Sequence, residues 1–440
     1  MTAKQKIAVA RRYYIRNYLW YDGFLFLVSL ALLVLLLTLK IEHAGFGHWF
    51  LFSYTVLLTV FQLFRLRAAV TSSQVLSFIE YGSEGSSNFE PMVSIVVPCK
   101  NEEKEISHTL RQCFAAEYPK EKLEVIVIND GSTDGTLREI RGIEREHPEL
   151  IVINWQENRG KREGMAAGFR IAKGDIVVQL DSDSYIEPSK FRHLIRPFRN
   201  SMIAAVCAHA DVANAGENFI TKMQAGYYFV AFRILKAAES SLCSVFCCSG
   251  CSSAYRKEVI LPILDAWLNE KFMGVRVRHG DDRSLTGWVL RQGYRTVYTH
   301  KAQAYTIVPA TIRQLVKQQV RWKKSWISNA YFTFQYIFKT DPFVGLFYFT
   351  PLVLISFLTP IVALANVYIV SAMHRSLPLE YLLGGFIVTL LYMLYAIRYA
   401  RGKKKYIGYF MAWQFLTVSI FSYLIFYSLL TFRNQRWGTR

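Results

Sequence analysis

Residues 123–135 read Leu123-Glu-Val-Ile-Val-Ile-Asn129-Asp130-Gly131-Ser-Thr-Asp134-Gly135. A nearly continuous apolar run closes on polar turn residues, which reads as a strand buried on both faces. The same reading applies to Met92–Pro98, stopped by its proline, to Leu150–Asn154 and to Asp175–Leu180. Between these runs Glu103–Phe114 and Gly164–Ala172 carry helical patterns. Strands that alternate with helices predict an α/β fold, a mostly parallel sheet with helices on both faces. Ligands of such sheets bind outside the carboxyl ends of the strands, so the residues just after each strand are the first candidates for chemistry.

After the strand at 123 stands Asp130, and after the one at 175 stands Asp181-Ser-Asp183. Paired carboxylates at a strand end suit an oxygen-preferring cation such as Mg²⁺, which takes one or two carboxylates plus substrate phosphates. A loop or a helix N-cap is the plainer use of such a triplet. Asn158-Arg-Gly-Lys161-Arg162 is either a turn with a solvated basic pair or a cationic loop facing a phosphorylated ligand. Gly280-Asp281-Asp282-Arg283 places two carboxylates side by side before a helix. Adjacent carboxylates disfavour one another's ionisation and can yield a base, although a helix cap is the alternative. Gln318-Gln319-Val-Arg321-Trp322 offers an arginine for a diphosphate and an indole face for a sugar ring. With Lys317, Lys323 and Lys324 it would also suit an amphipathic helix at a membrane surface.

The ends of the chain differ from the middle. Of 440 residues 52% are hydrophobic and only 19% charged, and Lys plus Arg exceed Asp plus Glu by 19. That excludes a disordered acidic protein. Seven cysteines are too few and odd in number for a disulfide scaffold, and all lie in the central region, where free thiols are expected. Cys248-x-x-Cys251 lacks a second pair at zinc-finger spacing. Gly23–Leu39 and Trp49–Phe64 are apolar runs of spanning length, the first read alternatively as a signal peptide. The basic residues before the first run and after the second place the N-terminus and the central region in the cytoplasm. Phe343–Val370, Tyr381–Ile397 and Ile407–Phe432 follow the central region. The proline-containing first of these is one kinked span or two re-entrant pieces. Basic residues flank the last on both sides, which favours an interfacial or re-entrant segment with a cytoplasmic tail. The expected division is a membrane region 1–67, a catalytic domain 68–310, interface helices 311–342 and a second membrane region 343–440.

Taken in order, Asp130-Gly-Ser, Asp181-Ser-Asp183, Gly-Asp281-Asp282-Arg and Gln318-Gln-Val-Arg321-Trp322 resemble the processive family 2 glycosyltransferases. Cys248-Ser249-Gly250-Cys251-Ser-Ser-Ala-Tyr-Arg256, His279-Gly-Asp-Asp-Arg-Ser-Leu-Thr286 and Trp437-Gly-Thr-Arg440 are similar to hyaluronan synthases within them. The resemblance covers about residues 90 to 440 and implies a GT-A-type domain between membrane helices. It implies UDP-GlcA and UDP-GlcNAc as donors, a growing polysaccharide as acceptor, Mg²⁺ or Mn²⁺ as cofactor and secretion through a channel of the chain's own helices. It implies a plasma- or inner-membrane location and function as a single chain. By the same resemblance Asp130 contacts uridine, Lys161 lies near the nucleotide, and Asp181 and Asp183 meet the diphosphate and its metal. Asp282, beside Asp281, is the base. Arg321 stabilises leaving UDP, and Gln318 belongs to the same element. Trp322 underlies the acceptor sugar, Cys248 to Cys251 and Arg256 belong to the acceptor loop, and Trp437 and Arg440 to a gating tail.

One departure stands in that loop, where Cys251 replaces the family's proline. Chitin-oligosaccharide synthases carry a Cys-rich version of the loop, so a polymer made from UDP-GlcNAc alone is the alternative product. A transporter or receptor with a nucleotide-binding domain explains the apolar runs but not Asp282 together with Arg321 and Trp322. Nucleic acid is not an expected partner, because the basic residues border apolar runs rather than an aromatic-lined groove.

Overall fold

The computed structural model describes residues 46–81, 89–370, 372, 379–399 and 404–434. A helix α1 (Phe46–Tyr81) leads into β1 (Val93–Cys99), α2 (Ile106–Phe114), β2 (Leu123–Asp130), α3 (Thr136–Glu146), β3 (Ile151–Trp155), α4 (Lys161–Ile171) and β4 (Ile176–Gln179). These elements match the strand–helix alternation expected from the sequence, with α3 in addition. β5 (Ser184–Ile186), β6 (Ile203–Val212), α5 (Phe219–Val230), β7 (Ser253–Arg256), the hairpin β8 (Lys271–Phe272) and β9 (Val275–Arg276), α6 (Asp281–Arg291), β10 (Arg295–Thr306) and α7 (Ile312–Phe334) complete the central region.

Eight strands form one sheet in the order β3-β2-β1-β4-β7-β6-β10-β5. β1, β2, β3 and β4 run parallel, as do β6 and β10, while β7 enters antiparallel between β4 and β6. β1, β4 and β6 are buried along their whole length, because helices cover both faces. Two cores result. One side holds Met165, Phe169, Trp267, Leu285 and Tyr298; the other holds Ile106, Leu110, Ile140, Leu194 and Phe198. Full burial of each such side chain contributes about 2 kcal/mol, which makes the sheet a rigid base for the loops at its carboxyl edge.

The apolar run at 49–64 forms the first part of α1, which continues without a break past Arg65 and Arg67 and packs on Ala237–Ser241. A boundary at residue 67 therefore falls inside a helix. The run at 23–39 lies outside the described residues. Among the described residues one helix, α8 (Pro342–Ala363), is long and apolar enough to cross a membrane by itself. Its π turn at Gly345–Phe349 and internal Pro360 are absorbed without interruption. α9 (Leu379–Tyr399) covers the next apolar run. In the last run α10 (Phe410–Leu416) and α11 (Leu424–Leu430) belong to two helical pieces, Lys405–Phe421 and Leu424–Leu430, which meet at a 44° bend. Phe347, Leu354, Leu394, Phe415 and Leu430 expose apolar side chains on these helices.

Candidate active site

β4 ends at Gln179, and the chain delivers Asp181 immediately beyond the sheet edge. The Asp181 Oδ1 accepts from Lys161 Nζ at 2.5 Å and from Gln179 Nε2 at 2.9 Å. Lys161 is the first residue of α4, so the helix start aims its ammonium at the strand end. Burial pushes the Asp181 carboxyl up from the usual carboxylate range, against the pull of Lys161. The Asp181 amide donates to the Gly250 carbonyl at 2.9 Å. A side chain at Gly250 would set its Cβ 2.7 Å from Asp181 Oδ1, so the Asp181 side chain or the loop would have to move.

Gly250 also faces the acid pair. Its amide donates to Asp282 Oδ2 at 3.1 Å, and Cys247 Sγ lies 3.6 Å from the same oxygen. Asp282 Oδ1 accepts from the Arg283 amide at 2.7 Å. The Cys248 amide donates to Thr286 Oγ1 at 3.0 Å, and that hydroxyl donates to the Asp282 carbonyl at 2.7 Å. The loop from Cys247 to Cys251 is thus tied to α6. Burial and the nearby Asp282 push the Cys247 thiol up to about 11, and Cys248 and Cys251 are pushed well above the usual thiol value, first by burial. Asp281 and Asp282 occupy the first turn of α6 rather than preceding it, and Gly280 makes that entry with φ of 72°.

Asp130 ends β2, where its carboxylate accepts from the amides of Arg159 and Gly160 at 2.6 and 2.9 Å. It therefore shapes the loop that launches α4. Asp183 lies two residues past Asp181, with Ser184 Oγ donating to its Oδ1 at 3.0 Å. On α7, Gln318 Oε1 and Gln319 Nε2 are buried without a hydrogen-bond partner. The Arg321 charge reaches His279, just before α6, together with Lys324 and Arg162. The Trp322 ring lies 6.5 Å from Tyr227 and 6.4 Å from Tyr228.

Several candidates stand elsewhere. Arg256 pairs with Ile176 at the opposite end of β4 and donates to the Phe198 carbonyl at 2.7 Å, so it ties two chain segments far from Asp181. Arg162 is neither solvated nor turned toward a ligand: it is buried against Asp281 and Glu270. Asp281 consequently faces Arg162, and burial pushes its carboxyl up despite Lys161 and Arg162. Ser249 takes part through its carbonyl, which accepts from the Ser252 amide at 3.2 Å. Trp437 and Arg440 lie outside the described residues. Lys324, read as a membrane-surface residue, is buried and donates to the Thr431 and Asn434 carbonyls at 2.8 Å each.

Other site neighbours carry no motif. Lys236 ends a π turn at Ala231–Lys236 and donates to the Cys247 carbonyl. Such turns recur at functional sites, and a Pro- or Gly-free helix gives no sequence sign of one. Tyr227 stacks on Trp413 at 4.0 Å, and the Tyr228 hydroxyl lies within reach of the Asp181 and Asp183 charges. The donor chemistry available for a cation is carboxylate oxygen. Among the described residues no group of three or more His, Cys, Asp or Glu side chains closes a metal cage. Asp181 and Asp183 thus fit a hard cation completed by substrate oxygens.

The family model described as glycosyl transferase family 2 matches residues 94–264. A hyaluronan synthase of Streptococcus pyogenes is 30% identical over 374 residues, 83% of this chain and 87% of that one. An N-acetylglucosaminyltransferase of Rhizobium meliloti is 31% identical over 260 residues, 58% of this chain and 60% of that one. Among solved structures, a mannosyltransferase from Pyrobaculum calidifontis in complex with GDP-Man and Mn²⁺ superposes with a TM-score of 0.55 at 20% identity, covering 83% of this chain and 98% of that one. That likeness concerns the fold, which is of the GT-A type.

Proposed function

Because the chain belongs to glycosyl transferase family 2, we propose that it is a membrane-embedded, processive, inverting glycosyltransferase that joins UDP-GlcA and UDP-GlcNAc into hyaluronan. The observation that carries this reading is the joining of Asp181, Lys161 and Asp282 around Gly250 in a chain 30% identical to a hyaluronan synthase over 83% of its length. Asp282 takes the proton from the acceptor hydroxyl. The freed oxygen attacks the anomeric carbon on the face opposite UDP, the bond from that carbon to the diphosphate breaks, and an α-linked donor yields a β-linkage. Lys161 and Arg321 stabilise the charge that builds on leaving UDP. Mg²⁺ or Mn²⁺, held by Asp183 with Asp181, would supply further neutralisation of the diphosphate. Asp130 orders the loop beside the uridine, Gln318 and Trp322 form the acceptor side with the Cys248–Cys251 loop, and Trp437 and Arg440 close over the nucleotide.

The exposed apolar side chains of α8, α9 and the bent final helices support membrane attachment, with the catalytic domain cytoplasmic and the polymer passing between the helices. The 44° bend, with Asn434 held to Lys324 on the catalytic side, supports a final segment that re-enters rather than crosses. The test is incorporation by membranes containing the protein. Hyaluronidase-sensitive polymer should form only when both donors are present. The match to an N-acetylglucosaminyltransferase favours one other product, a polymer of UDP-GlcNAc alone. Synthesis from that single donor would decide for it.

A further inference from the structure

Two consecutive residues at the start of α4 point to two different loops. Lys161 holds Asp181, as described. Arg162 turns inward: its Nε donates to Asp281 Oδ1 at 3.2 Å, Nη1 to Glu270 Oε2 and the Trp267 carbonyl at 3.0 Å each, and Nη2 to the His279 carbonyl at 3.3 Å. The guanidinium lies over the Trp267 ring, 5.2 Å from its centroid. The Arg162, Glu270 and Asp281 side chains are only 7%, 8% and 4% exposed, so these pairs are shielded from water. Glu270 extends the link. It accepts from Trp288 Nε1 at 2.7 Å and from the Ser284 hydroxyl, both on α6. α6 therefore meets the start of α4 through Asp281 directly and through Glu270 twice. Asp282 stands one residue from Asp281 in that same first turn.

From this geometry we propose that Arg162 is a positioning residue, which fixes the helix bearing Asp282 against the helix bearing Lys161 and so sets the separation of the base and the diphosphate seat. The inference rests on the roles given above to Lys161, Asp181 and Asp282. The Arg162 guanidinium is committed to Asp281, Glu270 and the carbonyls of Trp267 and His279. A fork of guanidinium donors suits the task, because its planar geometry fixes orientation as well as distance. Displacing a catalytic group by about 1 Å costs about a hundredfold in rate, so a loosened α6 is felt in turnover before it is felt in donor binding.

The experiment uses the full chain in lipid nanodiscs, with UDP-binding sites counted by calorimetry and transfer rates expressed per site. Arg162→Met and Glu270→Gln should each lower kcat, by about a hundredfold and about tenfold, with UDP affinity and donor KM held within about threefold of the parent. Arg162→Lys, which keeps the charge toward Asp281 but loses the fork, should fall between Arg162→Met and the parent. The double variant should be no slower than Arg162→Met, because both changes cut one link. Parent turnover per UDP site in the variants, with loss confined to melting temperature or to the number of sites, would make the role structural and overturn the proposal. A parallel loss of UDP affinity and kcat would also overturn it, by placing Arg162 in donor binding. Should Arg162→Met not fold, Glu270→Gln and Arg162→Lys carry the same comparison. The parent rate in the same nanodiscs checks the assigned activity, whereas the ratios among variants bear only on Arg162.

Discussion

The backbone amide of Gly250 donates to Asp282 Oδ2 at 3.1 Å. The carbonyl of the same glycine accepts from the Asp181 amide at 2.9 Å. One residue thus spans from the carboxylate at the end of β4 to the acid pair at the start of α6, without any side chain. The two carboxylates come from segments about a hundred residues apart, and in this fold both are read off the same loop. Backbone bonds of this kind fix orientation at little entropic cost, because the peptide is already rigid.

Gly250→Ala should therefore damage the site while leaving the sheet intact. The new methyl would lie 2.7 and 2.8 Å from the two Asp181 carboxylate oxygens, so either Asp181 or the loop must shift. Transfer should drop by about a hundredfold or more, with little change in melting temperature. Initial rates and thermal melting on the same preparation check this. Near-parent activity would mean that the two carboxylates tolerate independent movement.

The neighbouring thiols should be sluggish nucleophiles. Burial and then Asp282 push the half-buried Cys247 up to about 11. At pH 7.5 its thiolate population is roughly two orders of magnitude below that of an unperturbed thiol. Maleimide labelling of the native protein at Cys247 should be correspondingly slow and should quicken between pH 7.5 and 9.5. Unfolding should release all seven free cysteines for reaction. Rapid native labelling at pH 7.5 would contradict the burial that sets this order.

His279 gives a pH dependence of stability. Burial, followed by the charges of Lys324, Arg321 and Arg162, holds its imidazole down at about 4. A depressed base binds fewer protons folded than unfolded. Its contribution is complete above the unfolded value of about 6.5 and is lost as pH falls through 4. The loss amounts to about 3 kcal/mol. His279→Gln should flatten the melting curve between pH 6.5 and 4 relative to the parent, with little difference above pH 7. Parallel curves across that range would remove His279 from the account.

The parallel half of the sheet was legible because β1, β2 and β4 are nearly continuous apolar runs, and the polar exceptions inside β1 and β2, Ser94 and Glu124, hydrogen-bond each other at 2.6 Å rather than marking a solvent face. β7 gave no such sign. Ser253-Ala-Tyr-Arg256 is four residues long and finds its place only between β4 and β6, by pairing Ser253 with Gln179. β10 is similarly obscured by its register shift between Thr299 and Gln303. The acid motifs were readable because each lies at an element end. Lys161 and Arg162 could not be separated from sequence, since their opposite directions follow from the helical turn between neighbours and from Glu270, 108 residues away. Arg256 misled for the converse reason: a short strand carries its two ends to opposite edges of the sheet.

Lys324 offers the last test. Its Nζ bonds to the Thr431 and Asn434 carbonyls bind the close of α11 to α7, two residues after Trp322. Phe432 adds an edge contact with Phe272 of β8 at 4.8 Å. Asn434, the last described residue, is thereby held on α7 and beside His279, just before α6. Charged donors to backbone carbonyls contribute about 2 kcal/mol, more when buried. Lys324→Met should speed hydrogen exchange in residues 424–434 by roughly 30-fold if that energy is local. If Trp437 and Arg440 have the gating role proposed above, it should also raise the donor KM. Unchanged exchange would show that α11 is held by its packing on α7 alone. Faster exchange with unchanged donor KM would separate the tether from nucleotide closure and leave Trp437 and Arg440 without that role.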